Sequence, residues 1–434
     1  MQRFLRRRTR MVDIEKAWLA SASRRTALSR LAGFMAVSPV AAAMAQPDPG
    51  KPLSEVRRIP GLAEMRTAFD FQPVFAGNLL ATISEYTAHG DGSEFTLRRN
   101  RQAFDWVDIL PARAPVPVSQ VDLSSELLGV KMKFPMLVGP SSGQNGLHPE
   151  GEGGMLKGAT AASNMVDILA GATAAAVKTS LAATPGGIMW AQHYPIENLA
   201  SMQRVLEGVQ DAGAKSIVVT VDQQASVYER TLRIRNLGGR AAAGPGQGGG
   251  NAAAAAAATA AANAAAGGPA VAGSVRYRVS DRRLWYSWQY IDAVRKVAKD
   301  KLVVKGILDP EDARLAIEHG ADAILVSNHG GRSMDYGPST LEVLPEIVAA
   351  VSGRIPVLFD SGIRRGADIF KALALGASGV CLGRAARWGL GAFGSAGAQR
   401  VFEILQQELV QTAAACGCTK LSDINKTTVK TRFV

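Results

Sequence analysis

The chain has 434 residues, 47% hydrophobic and 20% charged, with 49 Lys and Arg against 37 Asp and Glu for a formal net charge of +12. That balance excludes a disordered chain and a small disulfide-stapled domain, and no clean apolar run reaches the roughly 18 residues that a membrane-spanning helix needs. The charge would suggest nucleic acid or an anionic membrane as partner, but residues 1–45 hold nine basic and two acidic side chains, so seven of the twelve excess charges sit there.

Within that stretch Ser23-Arg24-Arg25-Thr26-Ala27-Leu28 precedes a modest apolar run, 31–40, and then Ala43-Met44-Ala45 before Gln46. Paired arginines, an apolar stretch and a small-x-small site are the parts of a cleaved twin-arginine signal. We therefore expect a signal at 1–45, a mature domain at 46–434 and a periplasmic or otherwise exported protein. A basic amphipathic helix is the plainer alternative, which Pro47, Pro49 and Pro52 disfavour. With the signal removed the chain carries a charge of only +5, and no motif for nucleic acid accompanies it.

Further along, short apolar or β-branched runs alternate with amphipathic helical stretches, the pattern of a parallel sheet with helical crossovers. The runs are 136–139, 165–169, 188–192, 216–221, 302–305, 323–327, 356–360 and 379–382. Segments 341–351 and 366–375 have crossover length, and Asp309-Pro310-Glu311-Asp312 reads as a capped helix start. Eight such units predict an α/β fold, a closed (β/α)8 TIM barrel with a short N-terminal helical extension. After the fourth strand, 238–273 is almost wholly Ala and Gly with no charge beyond Arg240. It reads as a flexible insertion outside the core; as a membrane-contacting loop it would bury too little apolar area. Cys381 lies in an apolar Gly-Val-Cys-Leu-Gly run and reads as core, while Cys416-Gly-Cys418 is too close for an ordinary bridge and too sparse for a metal site.

In such a barrel the polar residues at strand C-termini carry function. Here they are Gln192 and Tyr194, Thr220 and Asp222, Lys305, Asn328, His329 and Arg332, Asp360, Ser361 and Arg364, and Gly383 and Arg384. Singly each has a bland explanation, a helix cap for Asp222 or a solvated charge for Arg332. Together they compose an anion-binding catalytic site. His329 is the candidate base, because imidazole titrates near neutrality, and Asp222 is the carboxylate that would orient it and stabilise its protonated form.

The runs Lys305-Gly306-Ile307-Leu308, Ser327-Asn328-His329-Gly330-Gly331-Arg332, Asp360-Ser361-Gly362-Ile363-Arg364-Arg365-Gly366 and Leu382-Gly383-Arg384 closely resemble the flavin mononucleotide (FMN)-dependent 2-hydroxy-acid oxidase and dehydrogenase family. Glycolate oxidase, lactate oxidase and mandelate dehydrogenase are members, and the resemblance runs from about residue 69 to 424. It implies an enzyme that binds FMN and oxidises an L-2-hydroxy acid (lactate, glycolate or mandelate-like) to the 2-keto acid, with the flavin N5 as electron acceptor. It also implies roles for single residues. Arg332 would clamp the substrate carboxylate through its planar fork, and Tyr86 would help hold it. Tyr194 would meet the substrate oxygen. Arg230 matches a second active-site arginine, at the cost of one extra residue between Asp222 and Asn236.

For the cofactor, Lys305 would face the N1/C2 carbonyl region, where a cation stabilises the reduced ring. Gln192 and Thr220 would meet the isoalloxazine edge, with Pro140, Ser141, Ser142 and Ser327 beside them. The phosphate would lie against Asp360, Ser361 and Gly362 and against Gly383 and Arg384, with charge from Arg364 and Arg384. No metal is implied. The implied partners are a small 2-hydroxy carboxylate and an electron acceptor, which is oxygen, a quinone or a cytochrome, and the implied assembly is a homotetramer.

The chain departs from the family pattern in three places. Gly139-Pro140-Ser141-Ser142 stands where Ala-Pro-Thr-Ala is usual, which puts Ser142 beside the flavin N5. Leu169-Ala170 replaces a pair of serines, and Gln223-Gln224 replaces Thr-Pro. Oxidase, dehydrogenase and monooxygenase stay open at this point, as do hydride and carbanion routes. Beside the leading reading stand a non-catalytic or altered-reactivity flavin-binding protein of the same fold, and a flavin-free barrel enzyme for a phosphorylated substrate.

Overall fold

Eight parallel strands, β1 (Met136–Val138), β2 (Val166–Leu169), β3 (Ile188–His193), β4 (Ser216–Thr220), β5 (Lys301–Ile307), β6 (Ala323–Val326), β7 (Val357–Phe359) and β8 (Gly379–Leu382), pair in chain order in the computed structural model. β8 returns to β1, with Val380 opposite Met136 and Leu382 opposite Val138, and closes the barrel. The model describes residues 60–433 apart from 197 and 223–286, so the expected signal at 1–45, Arg230, Gln223-Gln224 and the Ala/Gly segment 238–273 lie outside the described residues. All eight expected strands are present. The fifth runs longer than its apolar residues suggest, through a register irregularity between Lys305 and Ile307. Gly306 makes that irregularity feasible: its φ is +111°, and a β-carbon there would sit 2.5 Å from Cβ of Asp222.

The strands are apolar on both faces because both are covered. Inward residues Leu137, Val166, Ile168, Trp190, Val218, Val303, Ala323, Leu325, Leu358 and Cys381 form one interior cluster, and the intervening residues pack outward against the helices in another. Leu127 and Met132, from an antiparallel hairpin of Ser125–Leu127 and Val130–Met132, join the interior cluster beside Ile188, the first residue of β3. They cap the end where the strands begin. Cutting a fully buried side chain such as Leu325 back to Ala should cost about 2–5 kcal/mol.

Among the described residues the N-terminal extension has three α-helices: α1 (Phe71–Asn78), α2 (Ala81–Ala88) and α3 (Phe95–Gln102). Around the barrel follow α4 (Gly151–Ser163), α5 (Ala174–Ala183), α6 (Leu199–Asp211), α7 (Trp288–Val297), α8 (Pro310–Glu318), α9 (Thr340–Val351), α10 (Gly366–Ala374) and α11 (Arg384–Ala415), the last broken by a kink with non-helical backbone at Phe393 and Gly394. α8 starts as its sequence predicts, with the Asp309 carboxylate accepting from the Glu311 N–H at 2.7 Å and Pro310 in the first turn. The three cysteines carry free thiols, and Cys381 is buried as expected.

The extension is fastened over the C-terminal ends of the strands by polar side chains. Asn100 of α3 and Asn328 exchange amide hydrogen bonds of 2.9 and 2.8 Å in a buried pair. Arg99 grips Glu342 with two bonds of 2.7 Å, and Arg101 donates to the Gly362 carbonyl and to Asp368. Gly362 has φ +83°, and any β-carbon there would strike the Asn100 carbonyl, so this close approach requires glycine.

Candidate active site

Side chains alternate along a strand, so the inward set continues past the apolar interior into the barrel mouth. Counting on by twos leads from Trp190 to Gln192 and Tyr194, and from Val218 to Thr220 and Asp222. Val303 leads to Lys305, Leu325 to Ser327, Leu358 to Asp360 and Cys381 to Gly383. Every inward strand that ends in a polar residue therefore delivers it to the same end of the barrel. That end opens into a cleft of about 850 Å³, including its mouth, lined by Tyr194, Lys305, Asp360 and Gly383 of this set.

The predicted residues divide into those that line this cleft and those that support it. Tyr86, Pro140, Ser141, Ser142, Tyr194, Lys305, His329, Arg332, Asp360, Ser361, Gly362, Arg364, Gly383 and Arg384 all line it. Gln192, Thr220 and Ser327 are buried outside the lining, and so is the almost fully buried carboxylate of Asp222. Gln192 donates to the Thr220 hydroxyl at 2.9 Å and accepts from the Gly171 N–H at 2.8 Å, while the Ser327 hydroxyl accepts from the His329 N–H at 3.1 Å. Leu169 belongs to the outer cluster, so its replacement of a serine faces the helices and not the cleft. The strand alternation puts Ala170 on the inward side instead.

Asp222 organises the base end. One carboxylate oxygen meets His329 Nδ1 at 2.8 Å and the other accepts from Lys305 Nζ at 3.3 Å, with both Asp222 and Lys305 side chains almost fully buried. Burial pushes the Asp222 carboxyl up, but Lys305 and His329 together bring it down to about 2. An anionic Asp222 can only accept, so Nδ1 of His329 carries the hydrogen and Nε2 keeps the lone pair of a base. Burial, then the Lys305 charge, lowers the His329 pKa against the pull of Asp222. His329 also holds a φ of +58°, unusual for a side chain with a β-carbon and characteristic of functional turns.

Arg332 stands on the next turn of that loop. It donates to the Tyr86 carbonyl at 2.5 Å, and its guanidinium lies 4.6 Å from the Tyr86 ring centroid. This stacking holds the two side chains against each other at the edge of the cleft.

The opposite end is crowded with cations. Arg364 lies 4.6 Å over the Trp388 ring and donates to the Ile363 carbonyl at 2.7 Å. Arg384 donates to the carbonyls of Thr87 (2.9 Å), Gly330 (2.8 Å) and His89 (2.8 Å), which uses three of its five hydrogens. Burial pulls the Arg364 pKa down to about 10, and burial together with Arg332, Arg364 and Arg387 holds Arg384 well below the usual guanidinium range. Among the described residues no carboxylate stands at ion-pair distance from Arg364, Arg384 or Arg387. Buried positive charge of this kind calls for an anionic ligand. A phosphate dianion at the loops after β7 and β8, beside the N-terminus of α11, answers that need, so the residues present fit FMN.

Sequence reasoning missed Thr87 and Arg387, both in the lining, and it gave Cys381 to the core when that residue also floors the cleft. Arg387 had a signal, because it lies three residues after Arg384 and so on the same helical face.

Comparison with known proteins gives a consistent result. The family model described as FMN-dependent dehydrogenase matches residues 76–431. The chain is 34% identical over 381 residues to glycolate oxidase 1 of Oryza sativa subsp. indica, covering 85% of this chain and 97% of that protein. It is 33% identical over 364 residues to glycolate oxidase of Spinacia oleracea, covering 84% and 95%. Its fold is similar to the crystal structure of mandelate oxidase, with a TM-score of 0.69 and 30% identity over 85% of this chain and 99% of that one.

Proposed function

The chain belongs to the FMN-dependent dehydrogenase family and is an FMN-dependent oxidoreductase of 2-hydroxy acids, and from that premise we propose that His329 is its base and Arg332, with Tyr86 and Tyr194, its substrate clamp. The observation that carries this reading is the 2.8 Å contact that buried Asp222 makes with Nδ1 of His329, which lines a cleft walled by arginines. A substrate carboxylate would be drawn to Arg332, whose planar fork can hold both oxygens. His329 Nε2 then takes up a proton from the substrate. Asp222, already ionised, stabilises the imidazolium that forms without being protonated itself. Loss of that proton and of a hydride equivalent converts the 2-hydroxy acid to the 2-keto acid.

Bound FMN supplies the two-electron acceptor. Arg364 and Arg384, with the loops at 360–362 and 383, would hold its phosphate, and Lys305 would supply the cation beside the reduced ring.

The test is anaerobic mixing of the holoenzyme with L-lactate, glycolate and L-mandelate, read by bleaching of the flavin absorbance. His329→Gln should slow reduction by at least about 10³-fold while FMN stays bound. Unimpaired reduction by that variant would sink the assignment.

The proposal extends to where the enzyme works and what it reduces. The twin-arginine segment and Ala43-Met44-Ala45 support export, and that route carries folded proteins, which suits a barrel loaded with FMN beforehand. A periplasmic setting favours a quinone or cytochrome over oxygen as acceptor. Arg24→Lys with Arg25→Lys should abolish cleavage before Gln46, and the reduced enzyme should reoxidise faster with a quinone analogue than with oxygen. The homotetramer that the resemblance implies is measured by light scattering.

A further inference from the structure

Arg387 has none of the roles assigned so far, yet it lines the cleft and is only 5% exposed. Burial brings its pKa down to about 10 against the pull of Tyr86 and, more weakly, of Glu152, whose own carboxyl burial pushes up to about 7. A buried guanidinium without a firmly ionised partner is tolerated when its hydrogens are well used. Those of Arg387 are spent on two residues. Nη1 donates to the Ser142 carbonyl at 2.6 Å, while Nε and Nη2 both donate to the Thr87 hydroxyl at 3.1 and 3.0 Å.

Both acceptors lead to the same tyrosine. Thr87 is the chain neighbour of Tyr86, and the Ser142 hydroxyl lies 3.1 Å from the Tyr86 hydroxyl. The contacts close a ring of Arg387, Ser142, Tyr86 and Thr87 that joins the first turn of α11, the loop after β1 and the end of α2. The two carbonyls of the Tyr86-Thr87 pair are already taken by Arg332 and Arg384. Arg387 thus adds to the direct Tyr86–Ser142 hydroxyl contact a charged link between the Ser142 wall of the cleft and the Tyr86-Thr87 wall.

We propose that Arg387 is a positioning residue for the reaction: by bracing Ser142 against Thr87 it fixes where the Tyr86 hydroxyl stands, and so how tightly the substrate carboxylate is held. This rests on the reading of Tyr86 as a carboxylate contact. Arg387 would act through Tyr86 and would touch neither the base nor the reacting carbon. Its loss should therefore weaken substrate binding more than it slows chemistry.

The experiment compares Thr87→Val, Arg387→Leu, Arg387→Lys and the Thr87→Val/Arg387→Leu double variant, each as holoenzyme. Thr87→Val removes the acceptor and keeps the shape and the arginine, so it decides the matter even where the buried Arg387→Leu change prevents folding. KM for the 2-hydroxy acid should rise about tenfold in Thr87→Val and Arg387→Leu, with the limiting rate of flavin reduction held within about threefold. The double variant should be no worse than the worse single, because both cut the same link. Arg387→Lys should fail to rescue KM, since one ammonium cannot serve both acceptors in the fork geometry. Unchanged KM in Thr87→Val and Arg387→Leu, full rescue by lysine, or loss of FMN with unaltered KM in the remaining holoenzyme would each overturn the inference. A wild-type holoenzyme that no 2-hydroxy acid reduces would overturn the functional reading, and this one with it; an active wild type with unaltered variants overturns this one alone.

Discussion

At the base end of the cleft Asp222 sits between Lys305 and His329, each of its oxygens used, while at the other end Arg364, Arg384 and Arg387 crowd together with no carboxylate at ion-pair distance among the described residues. The base end is complete before anything binds, which is what a proton-transfer site needs if it is not to reorganise during the reaction. The arginine end holds uncompensated charge, and its cost is recovered only when an anion arrives. Substitutions should therefore have opposite effects on apoprotein stability at the two ends.

The largest effect is expected from Asp222→Asn. It leaves Lys305 without its carboxylate and removes the acceptor that sets the His329 tautomer, so flavin reduction should fall about 10³–10⁴-fold in stopped flow, and thermal stability should fall with it. In the native enzyme the stabilisation from the depressed Asp222 carboxyl is fully present above the ordinary Asp pKa and is lost as pH falls toward about 2. Arg364→Leu should weaken FMN binding about 10–100-fold by fluorescence titration, while the apoprotein melts no lower than wild type. A clear drop in apoprotein melting temperature would erase the contrast between the two ends.

A smaller effect concerns pH. His329 must be neutral to act as a base, and its pKa is lowered by burial and by Lys305. kcat/KM should rise with pH through a pKa below the ordinary His value of about 6.5 and level off near neutrality. Lys305→Met removes the repelling cation, favours the imidazolium and should move that limb to higher pH. The smallest effect on turnover should come from Leu169→Ser, which opens the outer cluster and costs about 2–5 kcal/mol of stability but should change the reduction rate less than about twofold. Ala170→Ser, on the inward side, should shift the flavin spectrum.

Much of this was legible because strand alternation is a local property. The eight runs, their order and the parity that carries Thr220, Asp222, Lys305, Ser327 and Asp360 to one end all follow from residues a few positions apart. Other features depend on partners distant in the chain. Asn100 meets Asn328, and Arg384 meets Thr87, across more than 200 residues, and no periodicity reports such contacts. Leu169 occupies a position where the family pattern has a serine, and only the structure shows that its side chain turns outward to the helices.

By itself the sequence determined the barrel, the placing of His329 and Asp222 at strand ends as candidate base and carboxylate, and the family resemblance that points to FMN, since those rest on short-range patterns and on residue types with few chemical substitutes. Only the tertiary structure decided that Gln192 and Thr220 spend hydrogen bonds on each other, that the extension closes one wall of the cleft, and that Arg387 braces it. Hydrogen-bond partners and buried charge are settled by which surfaces meet in space. A one-dimensional pattern can place a side chain on a face but cannot say what that face will touch.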